Sequence, residues 1–111
     1  MKVNVLGQEY VIYERKEDGD EKLKEVDGYC DHSTKEIVIA VFNEDPTNKS
    51  DLTQYKHQVM RHEIVHAFLY ESGLDGSTWK THGWAVNEEM VDWIAIQFPK
   101  MMKAFQECGC L

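Results

Sequence analysis

The order of hydrophobic and polar positions predicts β-strands in the first part of the chain. Residues 2–6 and 8–13 alternate between apolar and polar positions around Gly7, a pattern typical of a β-hairpin. Residues 28–31 and 36–42 predict a second hairpin, and the later run is rich enough in β-branched residues to form a buried strand. We therefore expect a small antiparallel sheet of about four strands.

Two polar segments separate these elements from one another. Residues 14–25 are mostly charged and include Asp18, Gly19 and Asp20, so we expect a solvated loop there. Residues 43–50 contain Pro46 and are expected to link the sheet to the second part of the chain.

The apolar spacing changes to three and four residues from Asp51 onward. This spacing predicts a helix of about twenty residues, with a possible capping box between Asp51 and Gln54 and an end near Gly73. Residues 64–70 are apolar on nearly every side, which is typical of a central, buried helix.

A second helix is predicted after a loop over residues 74–83. It should run from about residue 84 to 97, and Pro99 should either kink it or begin a short terminal helix. Strands followed by helices favour an α+β fold, and we expect a single domain over residues 1–111.

Composition and charge exclude several classes of protein. The chain has 111 residues, 42% of them hydrophobic and 11% aromatic, with a net charge of −8 and scattered basic residues. A nucleic-acid partner is therefore not expected. No apolar run reaches the length of about 18 residues that spans a membrane, and no secretory signal is indicated. The odd number of cysteines (Cys30, Cys108 and Cys110) fits thiols in a reducing cytoplasm.

The strongest chemical signal is the sequence His62-Glu63-Ile64-Val65-His66 within the first predicted helix. Residues four apart lie on one helical face, so both imidazoles can bind one metal ion. Glu63 lies one residue further round the helix, where its carboxylate can reach a water molecule bound to that ion. His32 and His57 are expected to be surface residues.

The second predicted helix offers a third ligand. The alternative pattern of a glycine and then a third histidine shortly after His66 is excluded, because Leu69 and Ser72 occupy those positions. Glu88 follows His66 by 22 residues, and Asp92 lies one helical turn beyond it. We favour Glu88 over its neighbour Glu89, because Asp92 follows Glu88 by four residues and Glu89 by three, and the spacing of four matches the peptidase family that these motifs resemble.

These two motifs together resemble the gluzincin metallopeptidases. The resemblance is to the small minigluzincin and ImmA-type peptidases, and to metallopeptidases encoded by phages and prophages of Gram-positive bacteria. It implies a zincin-like fold with one Zn²⁺ per chain on His62, His66 and Glu88, with Glu63 as the general base. Asp92 would orient a ligand histidine. The implied function is a cytoplasmic endopeptidase acting on a protein or peptide, with no membrane partner.

One feature of the sequence favours a second function. Larger gluzincins place a His or Tyr after the third ligand to stabilise the oxyanion, and the residues after Glu88 contain neither. His82 and Tyr70 are the candidates for this role. The alternative function is a zinc-stabilised module that binds peptides without hydrolysing them. In either case an extended peptide would pair with an exposed strand, either residues 37–42 or the hairpin partner of that run.

Overall fold

The computed structural model describes residues 1–42, 49–78 and 84–111, and these form a sheet and helices. The strands are β1 (Lys2–Val5), β2 (Gln8–Arg15), β3 (Gly28–Asp31) and β4 (Glu36–Ala40). The helices are α1 (Lys49–Glu71), α2 (Leu74–Thr78) and α3 (Glu88–Glu107). Short 3-10 turns cover Glu17–Gly19, Glu21–Lys24 and Trp84–Val86. The predicted α+β class is confirmed.

The sheet is mixed, and the prediction of a wholly antiparallel sheet was wrong. The strand order is β1-β2-β4-β3, and both predicted hairpins, β1–β2 and β3–β4, are antiparallel. The two hairpins join through β2 and β4, which run parallel from the pair Val11 and Glu36 to the pair Arg15 and Ala40. This pairing places β4 inside the sheet and leaves β3 at an edge.

The inner position of β4 follows from its continuous apolar sequence. Ile37 and Ile39 pack with β2 and α1 on one face, while Val38 and Ala40 pack on the other face. All four residues are buried, and a strand covered on both faces needs apolar residues at successive positions.

The charged segment after β2 contributes to this core and is more than the solvated loop that its composition predicts. Its two 3-10 turns bring Leu23, which is 5% exposed, against Val38 and Ala40. Asp20 caps the second turn by accepting a hydrogen bond from the amide of Lys22 at 3.1 Å. One apolar residue among many charges is enough to dock the segment on the sheet.

Helix α1 covers the face of the sheet opposite Leu23. Val59 and Ala67 lie in the same core cluster as the inward residues of β2 and β4. The helix ends as predicted before Gly73, whose φ of 86° is accessible to glycine at little cost. Part of the predicted loop 74–83 is the short helix α2, and residues 79–83 lie outside the described residues.

Helix α3 continues through Pro99 to Glu107, so the predicted alternative of a separate terminal helix starting at this residue was wrong. A proline inside a helix has no amide hydrogen to donate to the carbonyl four residues earlier, which here belongs to Ala95. Arg61 of α1 replaces that donor, because its Nε lies 2.6 Å from the Ala95 oxygen. The same contact ties α3 to α1. Among the described helices, none is both long and apolar enough to cross a membrane.

Candidate metal centre

Two histidines of α1 meet on one face of the helix. The Nε2 atoms of His62 and His66 lie 3.1 Å apart, and their side chains are only 17% and 16% exposed. Their spacing of four residues accounts for this approach, because it is close to one helical turn.

The first residue of α3 completes the group. Asn87 caps that helix by accepting a hydrogen bond from the Met90 amide at 2.9 Å, so the helix begins at Glu88. One Glu88 carboxylate oxygen lies 2.9 Å from His62 Nε2, and the other lies 3.0 Å from His66 Nε2.

One ligand atom from each of His62, His66 and Glu88 lies within 4.8 Å of the others, so this group could hold a metal ion. Two imidazole nitrogens and a carboxylate oxygen are a common ligand set for transition metals. Glu89 is exposed and takes no part in the group.

A second carboxylate of α3 fixes one of the imidazoles. Asp92 Oδ1 lies 3.2 Å from Nδ1 of His62 and accepts a hydrogen bond there. A hydrogen on Nδ1 leaves the lone pair on Nε2, the atom that faces Glu88 and His66. In that tautomer the Nε2 atom of His62 would be free to bind a metal ion.

Glu63 is buried beside this group without a hydrogen bond to any described residue. It is 7% exposed, and its carboxylate oxygen lies 3.9 Å from Nε2 of His62. Burial raises the pKa of Glu63 to about 7; His62 opposes this shift and the Glu88 charge adds to it. Burial also lowers the pKa of His66, which favours the neutral imidazole that metals bind.

These side chains line an open cavity of about 640 Å³ between β3, α1 and the first turn of α3. Glycine at position 28 allows β3 to approach α1 closely. A Cβ atom there would lie 2.9 Å from Cγ1 of Val59 and 3.4 Å from Cγ of Glu63. The edge strand therefore forms one wall of the cavity that holds the metal-ligand group.

No family model, curated protein or solved structure matches this chain.

Tyr70 and His82 were the residues predicted to help stabilise an oxyanion, and the structure describes only Tyr70. Tyr70 does not line the cavity, and its ring stacks on His32 at 4.1 Å between ring centroids. His82 lies outside the described residues.

Sequence reasoning missed His32 as a cavity residue. It was predicted to lie on the surface, yet it is half-buried and lines the same cavity as His62 and Glu63. Its Nδ1 contacts Sγ of Cys30 at 3.5 Å, and burial lowers its pKa. No sequence signal marked this turn residue, because it reaches the cavity only through the packing of β3 beside α1. His57 is exposed, as predicted.

The cysteines remain thiols. Cys30 is half-buried, and Cys108 and Cys110 are exposed, with no disulfide between them. Burial raises the pKa of Cys30 to about 12, so this thiol stays protonated near neutral pH and is a poor nucleophile.

Proposed function

We propose that the chain is a zinc-dependent endopeptidase of the gluzincin type, with His62, His66 and Glu88 as the metal ligands. One observation carries this proposal. Glu63, a buried carboxylate with no hydrogen bond to a described residue, lies beside a group of three potential ligands in the lining of an open cavity. Catalytic zinc sites combine three protein ligands of these types with one open position.

Zinc bound at this centre would lower the pKa of a coordinated water and polarise the carbonyl of a scissile peptide bond. Glu63 would accept the proton of the attacking water and return it to the leaving amine. Burial raises the pKa of Glu63, which makes its carboxylate a stronger proton acceptor. Asp92 would keep the His62 ring in position through the hydrogen bond to Nδ1.

The edge strand β3 is the proposed site of substrate pairing. Its partner β4 occupies one of its edges, and residues 28–30 of β3 line the cavity. An extended peptide that adds to the free edge would lie along that cavity. Of the two strands considered from the sequence, the inner strand β4 has no free edge.

A zinc-stabilised binding module explains Glu63 less well than an enzyme does. Glu63 is 7% exposed, and burial disfavours the ionised form of its carboxylate. A site that only held a structural metal would gain nothing from this residue. A general base makes use of both its burial and its freedom from hydrogen bonds.

The test compares the parent protein with Glu63→Gln and with Glu89→Gln, a matched control on the exposed side of α3. Each protein is expressed with zinc, analysed for metal content and incubated with a mixed peptide library whose new termini are mapped. We expect one zinc per chain in all three proteins. Cleavage should fall by about a hundredfold or more in Glu63→Gln alone, because glutamine cannot accept the proton.

Removal of the metal gives a second readout that does not depend on cleavage. A chelator should lower the melting temperature of the parent protein, because an ion bound only by the folded chain stabilises it. Protein without zinc after supplemented expression, or equal cleavage by parent and Glu63→Gln, would refute the proposal.

A further inference from the structure

The cavity carries a strong excess of negative charge. Among the residues that the structure describes, six carboxylates line it: Glu25, Asp27, Glu63, Asp75, Glu88 and Asp92. Neither lysine nor arginine is among the described residues of this lining.

Three of these carboxylates belong neither to the metal-ligand group nor to its neighbours Glu63 and Asp92. They are Glu25, Asp27 and Asp75, and we call them the acidic wall. Within the described part of the chain, none of the three forms an ion pair with lysine or arginine. Other carboxylates do so, such as Glu71 with Lys35 at 2.6 Å between Oε1 and Nζ. The charge of the wall is therefore available to a ligand.

One member of the acidic wall is held in place by two elements. Asp27 accepts a hydrogen bond from the Tyr55 hydroxyl of α1 through its side chain. Its backbone oxygen accepts another from the Ala40 amide at 2.9 Å. These bonds fix the carboxylate at the start of β3, the edge along which a substrate would lie.

Glu63 provides an independent indication that a ligand occupies this cavity, since it is 7% exposed, lines the cavity and has no hydrogen bond within the described residues. The acidic wall then determines which ligand is favoured. Attraction between opposite charges in a partly enclosed cavity is stronger than in open water, and like charges there repel.

We propose that the substrate is a peptide segment with lysine or arginine residues beside the scissile bond, selected by the acidic wall. This inference deepens the proposed peptidase function and rests on it. The net charge of −8 on the whole chain adds a long-range attraction for such a segment.

The test measures binding, so that it does not depend on cleavage. Three fluorescein-labelled peptides of equal length carry lysines, alanines or glutamates at the same positions, and fluorescence anisotropy gives their affinity for zinc-loaded Glu63→Gln protein. We expect the lysine peptide to bind at least about tenfold more tightly than the glutamate peptide in 50 mM salt. This preference should shrink in 500 mM salt, where screening extends over only a few ångströms.

Substitutions in the wall locate the effect. Glu25→Gln, Asp27→Asn and Asp75→Asn should each reduce the preference for lysine by about twofold to fivefold. Asp18→Asn removes the same charge at an exposed position outside the cavity and should leave the preference nearly unchanged. Circular dichroism confirms that each variant is folded.

Equal affinity for all three peptides, or a preference that survives neutralisation of the whole wall, would overturn the proposal. A parallel cleavage assay with the parent protein separates the two claims. Preference for the lysine peptide without cleavage of any peptide would overturn the peptidase function alone. Cleavage without any charge preference would overturn the acidic wall alone.

Discussion

The hydrogen bond between Arg61 of α1 and the carbonyl of Ala95 in α3 allows a quantitative prediction of the stability lost when Arg61 is replaced. Pro99 has no amide hydrogen, so the Ala95 oxygen lacks its donor within the helix and receives Arg61 Nε at 2.6 Å instead. Ala95 is fully buried. Arg61→Met keeps most of the aliphatic stem but leaves a buried carbonyl without a partner.

The expected destabilisation follows from the charged donor. A hydrogen bond of this kind contributes about 1.5–3 kcal/mol. For 111 residues, an unfolding entropy of about 2.1 cal/mol/K per residue gives about 0.23 kcal/mol/K at the melting temperature. Arg61→Met should therefore lower the melting temperature by roughly 6–13 °C. Lys100→Met removes an exposed charge from α3 and should shift it by no more than about 2 °C.

A double-mutant cycle with Pro99→Ala tests the cause. Alanine at position 99 restores an amide donor for the Ala95 carbonyl. The loss of unfolding free energy caused by Arg61→Met should therefore be smaller by about 1 kcal/mol or more in protein that also carries Pro99→Ala. Urea unfolding of the four proteins at pH 7 gives the required free energies. Additive effects of the two substitutions would show that Arg61 does not replace the donor that Pro99 lacks, and the reasoning would be refuted.

Three further predictions concern the packing, the ligands and the pH dependence of the protein. Gly28→Ala would place a Cβ 2.9 Å from a side chain of α1 and 3.0 Å from a carbonyl of β4, so it should destabilise by about 1–3 kcal/mol in urea unfolding. Gly19→Ala has open space and serves as its control. Glu88→Gln should weaken zinc binding by at least about tenfold in competition with a chromogenic chelator, while Glu89→Gln should leave it unchanged. The reverse result would show that Glu89, and not Glu88, is the metal ligand. Hydrogen bonds from Lys35 and Tyr10 lower the pKa of Glu71. The ionised Glu71 carboxylate therefore stabilises the folded protein above pH 4.5, and this contribution is lost as the pH falls through the lowered pKa. The melting temperatures of parent and Glu71→Gln should therefore differ at pH 7 and converge in acid; a constant difference would contradict this.

The features that sequence reasoning found are those that depend on neighbours within one element. The two hairpins and α1 follow from alternation and helical spacing, which are local patterns. The approach of His62 to His66 depends only on helical geometry, and the choice of Glu88 over Glu89 depends on the face that also carries Asp92.

The remaining features depend on contacts between residues far apart in the chain, which no local pattern encodes. The parallel pairing of β2 with β4 turned the expected antiparallel sheet into a mixed one and left β3 as the edge strand beside α1. That placement alone brought His32 and Asp27 to the cavity. Helix α3 continued through Pro99 because Arg61, from another helix, supplied a donor that the local sequence lacks. Backbone geometry fixes the positions of near neighbours, whereas packing between elements decides which distant side chains share a cavity.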